Sequence, residues 1–229
     1  MSVPDPKLAG ASAFTGVPAN LIAPLLNNAS FHDYRDDAVI FLRGMEAKHV
    51  YVVISGLVRI STMGDSGKRI TVEIFKELEI FGELGVIDDK PRTADAIAMG
   101  PARVAALSGK AFRELMQASP VFTVNLLRIV TSRLRRTYSL LEDASLADLE
   151  HRFARQVLYL VGLGASGERR VRLFSRMNQG DLADLLGTTQ RSIITILNKW
   201  RAEGLAEFDG RTAQLTILEP DRFKALLEI

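Results

Sequence analysis

The sequence contains no cysteine in its 229 residues. That excludes a disulfide framework, a cysteine-ligated iron–sulfur cluster and a thiol redox switch. It also lacks an uninterrupted apolar run long enough to span a bilayer, and no signal peptide is read, so a cytoplasmic location without membrane association is expected. Charge of one sign is missing too. Lys and Arg number 29 against 27 Asp and Glu, a net +2, and the sequence pI is near 9.0. This mild basic bias permits nucleic-acid binding without requiring it. His32, His49 and His151 are scattered, and lone histidines are more often surface or hydrogen-bonded residues than metal ligands. No Ser/His/Asp set, metal-ligand spacing or P-loop is found, so no enzyme, catalytic residue, metal or cofactor is expected.

What is present describes an ordinary soluble chain, 47% hydrophobic and 24% charged, with length for one large or two small domains. Residues 1–16 mix Pro, Gly, Ser and Ala and are expected to be loosely ordered. Leu21, Ile22, Leu25 and Leu26 give a short amphipathic helix over 18–28. Residues 31–108 then break into β-rich runs. Residues 50–60 are apolar and β-branched around Ser55-Gly56, residues 69–75 place Ile70, Val72 and Ile74 on one face, and 63–68 form a hairpin-type turn between them. Such runs in succession indicate a compact β-roll or barrel.

An irregular insert, Phe-Gly-Glu-Leu-Gly-Val-Ile-Asp-Asp-Lys-Pro-Arg-Thr-Ala over 81–94, interrupts those strands. Gly82 lets a ligand approach the backbone closely. Glu83 can accept from a sugar hydroxyl. Arg92 is a planar, permanently charged fork suited to phosphate, and Thr93 adds a hydroxyl and an N–H. Pro91 fixes the approach to Arg92. On this reading Arg92→Ala abolishes the response to such a ligand and spares the fold. The plainer alternative pairs Glu83 with Arg92 across a tight turn.

After Ala111 the period becomes helical. Leu127, Val130, Leu134, Thr137, Leu141 and Ala144 recur at three- and four-residue steps, the seam of a two-stranded coiled coil. Asp148 and Ser145 are helix-capping types, so a second domain begins near 148. Residues 152–163 form its first helix, ended by 164–167, and 168–173 read as a short strand. Leu182, Ala183, Leu185 and Leu186 build a helix that Asn178 can cap. Gly187 supplies a turn, and Ile193, Ile196, Leu197 and Trp200 mark a second amphipathic helix. Thr189, Gln190, Arg191 and Ser192 open that helix with donors for base edges or phosphates. Strands at 206–208 and 214–217, joined through Asp209-Gly210-Arg211, complete a winged helix-turn-helix with Arg211 near the wing tip.

The insert resembles the phosphate-binding cassette of cyclic-nucleotide-binding domains, and the order of parts over 31–217 resembles the CRP/FNR superfamily of bacterial transcription regulators. The resemblance implies an α+β fold: an N-terminal cyclic-nucleotide-binding β-roll over 1–118, a dimerisation helix and hinge over 119–147, and a C-terminal winged helix-turn-helix domain over 148–229. It implies an allosteric ligand, cyclic AMP ahead of cyclic GMP, held by Gly82, Glu83, Leu84, Arg92 and Thr93 with Arg133, Thr137 and Tyr138 of the dimer helix. Thr137 matches the family's threonine, whereas Tyr138 replaces its usual serine, which leaves the base open. Gln190, Arg191 and Thr195 fall on recognition positions but lack the Arg–Glu pair and later Arg typical of cyclic-AMP receptor proteins, so the operator differs. The implied partners are a second copy of the chain, double-stranded DNA at a two-fold-symmetric operator, and RNA polymerase. The oxygen-sensing branch needs cysteines, and the haem-containing carbon monoxide sensors need a histidine where Leu84 stands.

Overall fold

The structure is a computed structural model that describes residues 7–64, 69–162, 171–173 and 176–227. It divides into two compact units. One comprises Met1–Thr62 and Thr71–Arg136, the other Met63–Ile70 and Thr137–Ile229.

In the first unit, α1 (Ala19–Asn27) follows Pro18 and buries Ile22, Leu25 and Leu26 along one stripe. The strands are β1 (Ser30–Tyr34), β2 (Val39–Phe41), β3 (His49–Met63), β4 (Arg69–Phe75), β5 (Ile80–Phe81) and β6 (Asp95–Ser108). They form one sheet in the order β1-β6-β3-β4, with β2 on β6 and β5 on β3. The long strands β3 and β6 run antiparallel with register shifts on either side of Ser55. There Gly56 adopts φ +79°, and a Cβ would lie 2.3 Å from the Pro101 carbonyl oxygen, so only glycine lets the two backbones pass so closely. On its edge away from β3, β6 pairs with two strands in turn: Ala102–Ala106 with β1 and Ala96–Ile97 with β2.

Alternation along β3 feeds two cores. Val50, Val52 and Ile54 join Leu25, Leu107, Phe112 and Phe122. Val53 and Val58 join Phe41, Phe75, Phe81 and Val104, the aromatic-rich core directly beneath the 81–94 insert. Helix α3 (Gly109–Ala118), capped by Ser108, and the start of α4 (Pro120–Leu146) close the first core through Phe112, Leu115, Phe122 and Leu126. Strand β4 forms over the expected residues, but its three isoleucine and valine positions are not buried alike. Ile70 and Val72 are exposed while Thr71, Ile74 and Phe75 are buried. The strand's inward face is therefore the one carrying Thr71, Glu73 and Phe75, and Glu73 is tolerated there because Arg136 of α4 meets it at 3.1 Å.

In the second unit, α5 (Leu149–Val161) begins at Asp148, whose side chain accepts from the His151 N–H, and ends on a left-handed Gly162, ahead of the expected stop at 164–167. Asp143, near the end of α4, is buried and accepts from Arg155 of α5. Strand β7 covers Val171–Arg172. Leu173, expected in this strand, is described but lies past its end, whereas residues 168–170, the 164–167 stop and most of the 63–68 turn lie outside the described residues. Helix α6 (Gln179–Leu186) is opened by a reciprocal capping box between Asn178 and Asp181 and closed by Gly187. Helix α7 (Gln190–Ala202) follows, then β8 (Ala206–Asp209), β9 (Gln214–Ile217) and α8 (Pro220–Ala225). The small sheet has the order β7-β9-β8, all antiparallel. Trp200 anchors this unit, with Phe153 stacked at 4.7 Å, Phe223 edge-on at 4.8 Å, and its indole N–H donated to Glu150 at 2.9 Å.

Candidate functional site

The insert begins where β5 ends. Gly82 has φ +73°, and a Cβ there would come within 2.9 Å of Arg92 Nη1 and 3.2 Å of Phe41. No other residue both adopts that backbone and leaves room for the guanidinium. Glu83 leads into α2 (Leu84–Ile87), one helical turn that leaves Leu84 45% exposed. Past that turn, Pro91 delivers Arg92. Its N–H donates to the Met45 carbonyl at 2.8 Å, and its carbonyl accepts from Gly44 at 2.9 Å. Both backbone groups of Arg92 are thereby fixed to one loop.

The side chains turn inward. Arg92 is only 5% exposed. It donates through Nη1 to the Gly82 carbonyl and through Nη2 to the His49 carbonyl at 2.6 Å, and it lies over the Phe41 ring at 4.2 Å. Phe41, Tyr51, Phe81 and Phe75 form one chain of ring contacts behind it. Burial pulls the guanidinium below its ordinary value, opposed by Tyr51 and by the charge of Glu83. The buried Nε–H has no acceptor among the described residues. That is one donor left for an incoming anion.

Glu83 does not pair with Arg92. Its carboxylate is 4% exposed and takes the Arg133 guanidinium at 2.7 Å. Arg133 also donates to the Ile80 carbonyl and lies 4.5 Å over Phe75. The alternative of a Glu83–Arg92 turn bridge is thus replaced by two separate anchors: Glu83 to α4, and Arg92 to the starts of β3 and the insert. The contacts of Arg92 also argue against the expectation that Arg92→Ala spares the fold. Removing the side chain leaves two carbonyls and an aromatic face without their partner.

Gly82, Glu83, Arg92 and Arg133 are thus brought together, with Leu84 and Thr93 exposed at the same segment. Thr137 and the 63%-exposed Tyr138 follow on α4, where the second unit begins. Leu127, Leu134 and Leu141 of the same helix are exposed on the single chain. Residue patterning did not reveal Phe41, Tyr51, Glu73 or Arg136. The one local hint was Glu73, a carboxylate on a strand face otherwise carrying Thr71 and Phe75.

The second unit presents the start of α7. Thr189 caps it by accepting from Ser192 N–H at 3.2 Å, and its hydroxyl meets that of Ser192 at 3.0 Å. Thr195 donates its hydroxyl to the Arg191 carbonyl at 3.0 Å. Three of the expected contact hydroxyls therefore serve the helix itself. Gln190 and Arg191 are exposed at its first turn, and the Arg191 guanidinium hydrogen-bonds to none of the described residues. Arg211 is exposed between β8 and β9, where Asp209 shapes the turn by accepting from the Arg211 N–H at 2.9 Å and the Thr212 hydroxyl at 2.7 Å. Among the described residues no helix is long and apolar enough to cross a membrane, and no cluster has the makings of a metal site.

Comparison with known proteins agrees with this geometry. The cyclic nucleotide-binding domain family matches residues 31–119, and the Crp-like helix-turn-helix domain family matches residues 151–226. The CRP-like cAMP-activated global transcriptional regulator of Mycobacterium tuberculosis is 28% identical over 213 residues, 93% of this chain and 95% of its own length. The cyclic AMP receptor protein of Thermus thermophilus is 27% identical over 85% of each chain. FixK2 from Bradyrhizobium japonicum shares the fold with TM-score 0.75 at 20% identity, covering 86% of this chain and 96% of that one. The c-di-GMP responsive regulator CLP of Xanthomonas campestris does so with TM-score 0.73 at 23% identity, covering 88% and 99%. A cyclic-nucleotide-binding β-domain, a long helix and a winged helix-turn-helix define a DNA-binding transcription regulator. The chain belongs to the CRP/FNR superfamily.

Proposed function

We propose that the chain is a homodimeric, cytoplasmic regulator whose DNA binding is controlled by a cyclic mononucleotide, with RNA polymerase as its downstream partner. The observation that carries this reading is the presence, in one chain, of a buried Arg92 with an unanswered N–H and a helix-turn-helix whose Arg191 is exposed. A cyclic phosphate would draw Arg92 from the Gly82 and His49 carbonyls, exchanging neutral acceptors for a charged one. Thr93 would add its hydroxyl. Glu83, kept in place by Arg133, would accept from the ribose hydroxyl, and the base would extend along α4 toward Thr137 and Tyr138. The relatives are named for cyclic AMP, and which base this chain takes is open on these residues.

The exposed Leu127, Leu134 and Leu141 stripe supports pairing with a second copy through α4. Two α7 helices would then enter successive major grooves about 34 Å apart on a two-fold-symmetric site, with Gln190 and Arg191 at base edges and Thr189, Ser192, Thr195 and Arg211 beside the backbone. Nucleotide would shift the population of paired chains toward the DNA-competent arrangement.

A second reading has its own support. Arg92 and Glu83 are already engaged with protein groups, as they would be if the cassette were a structural turn and the regulator answered another effector. Duplexes selected from a random pool by the full-length protein separate the two. Tighter DNA binding with cyclic AMP or cyclic GMP supports nucleotide control. Unchanged affinity with either supports the structural turn.

A further inference from the structure

One charged pair near the cassette is unused by the reading above. Glu73 of β4 and Arg136 of α4 meet at 3.1 Å, and each side chain is only 13% exposed. Neighbouring contacts fix where the pair lies. Arg133, three residues before Arg136 and so about 4.5 Å along the helix axis, holds Glu83 at 2.7 Å. Phe75, two residues beyond Glu73 on the same strand face, lies 4.5 Å under Arg133. The pair is thus one helical turn from the arginine that holds the carboxylate assigned to the ribose, and one strand repeat from the ring under that arginine, on the side of α4 toward Thr137.

We propose that Glu73 and Arg136 read the base of the bound cyclic nucleotide and select guanine over adenine. This rests on the nucleotide assignment of the preceding subsection. Guanine offers two adjacent donors, N1–H and the N2 amine, which suit both oxygens of one carboxylate. It also offers two adjacent acceptors, O6 and N7, which suit the two arms of a guanidinium fork. Opening a largely buried ion pair is unfavourable unless each partner finds a replacement. Guanine replaces both. Adenine presents the N1 lone pair and a C2–H where guanine has its two donors, and the N6 amine beside N7 where guanine has its two acceptors, so one carboxylate oxygen would face the N1 lone pair and one guanidinium N–H would face the N6 amine. Selection comes from leaving a buried charge half satisfied with the wrong base.

The test is calorimetric titration of the full-length protein with cyclic GMP, cyclic AMP and cyclic IMP, the last keeping O6, N7 and N1–H but lacking the N2 amine. The expected result is cyclic GMP about tenfold or more tighter than cyclic AMP, with cyclic IMP between them. In Glu73→Gln the ratio should collapse toward one, mainly through loss of cyclic GMP affinity. A residue that merely held β4 to α4 would weaken all three ligands together. Arg136→Gln approaches from the other partner should Glu73→Gln fold poorly, and the cyclic IMP comparison needs no variant. Preference for cyclic AMP, or a ratio unmoved in folded Glu73→Gln, overturns this proposal while leaving nucleotide control standing. Binding of none of the three by the unmodified protein overturns both.

Discussion

The cassette and the helix-turn-helix are both anion-binding candidates built around an arginine, yet they hold it in opposite ways. Arg92 is buried, donates to two carbonyls and rests on an aromatic ring. Arg191 stands exposed at the first turn of α7, while Thr189 and Ser192 satisfy the helix end beneath it. On the proposed reading one site would rearrange to take its ligand. The other is ready. That division suits a switch, because a ligand controls an equilibrium only where it binds two conformations differently. On the proposed reading, the energy available to nucleotide control would lie in moving Arg92 off its carbonyls, and the helix-turn-helix would need only to be presented.

The sharpest way to break the comparison is Arg92→Ala. Two buried carbonyls lose their donor, so stability should fall by about 4 kcal/mol in thermal or urea unfolding, and nucleotide affinity by roughly 100-fold. A variant with unchanged midpoint would mean that the inward pose is not structural. Gly82→Ala comes next, at about 3 kcal/mol from a left-handed backbone and a Cβ driven against Arg92 and Phe41. Arg191→Ala should behave in the opposite way. DNA affinity should drop by about 1–3 kcal/mol with relaxed preference at one base, while the unfolding midpoint stays within about 0.5 kcal/mol of the parent. Equal losses on every sequence would reassign Arg191 to the phosphate backbone.

The smallest effect concerns Glu79, whose carboxyl is raised above its usual 4.5 chiefly by burial, although it accepts from the Lys76 N–H at 2.9 Å. A raised native value means the folded state binds the proton more tightly. Its contribution to stability is therefore full below the unfolded value and lost as pH rises through the folded one. Glu79→Gln keeps the acceptor and removes the charge. It should stabilise by under about 1 kcal/mol at neutral pH, with the gain vanishing below about pH 4, as melting curves across pH would show.

The two regions also differ in how far the sequence disclosed them. Asn178 and Gly187 act through neighbours a few residues away, and the Ile193/Ile196/Leu197/Trp200 stripe shows as helical spacing, so local pattern sufficed for α6 and α7 although Trp200 itself packs on Phe153 and Phe223. The cassette was recognisable from Phe-Gly-Glu and Pro-Arg-Thr, but its wiring was not. Arg92 finds the His49 carbonyl 43 residues away, and Glu83 finds Arg133 at 50. Such pairings depend on how β3, β5 and α4 come together, which no local period encodes. Strand β4 teaches the same lesson from another side. Alternation separated Ile70 and Val72 from Thr71 and Glu73, but it does not say which face turns inward; Arg136 meets Glu73 on the face of Thr71 and Phe75.

The most direct measurement is amide hydrogen exchange on the full-length protein, free and with saturating cyclic nucleotide. The account predicts altered protection concentrated in 82–93 and at His49, where carbonyl contacts are exchanged for ligand contacts, with the internal hydrogen bonds of α6 and α7 protected alike in both states. No change at 82–93 with millimolar cyclic AMP and cyclic GMP would contradict it, leaving the cassette as a structural turn in a regulator governed by something else.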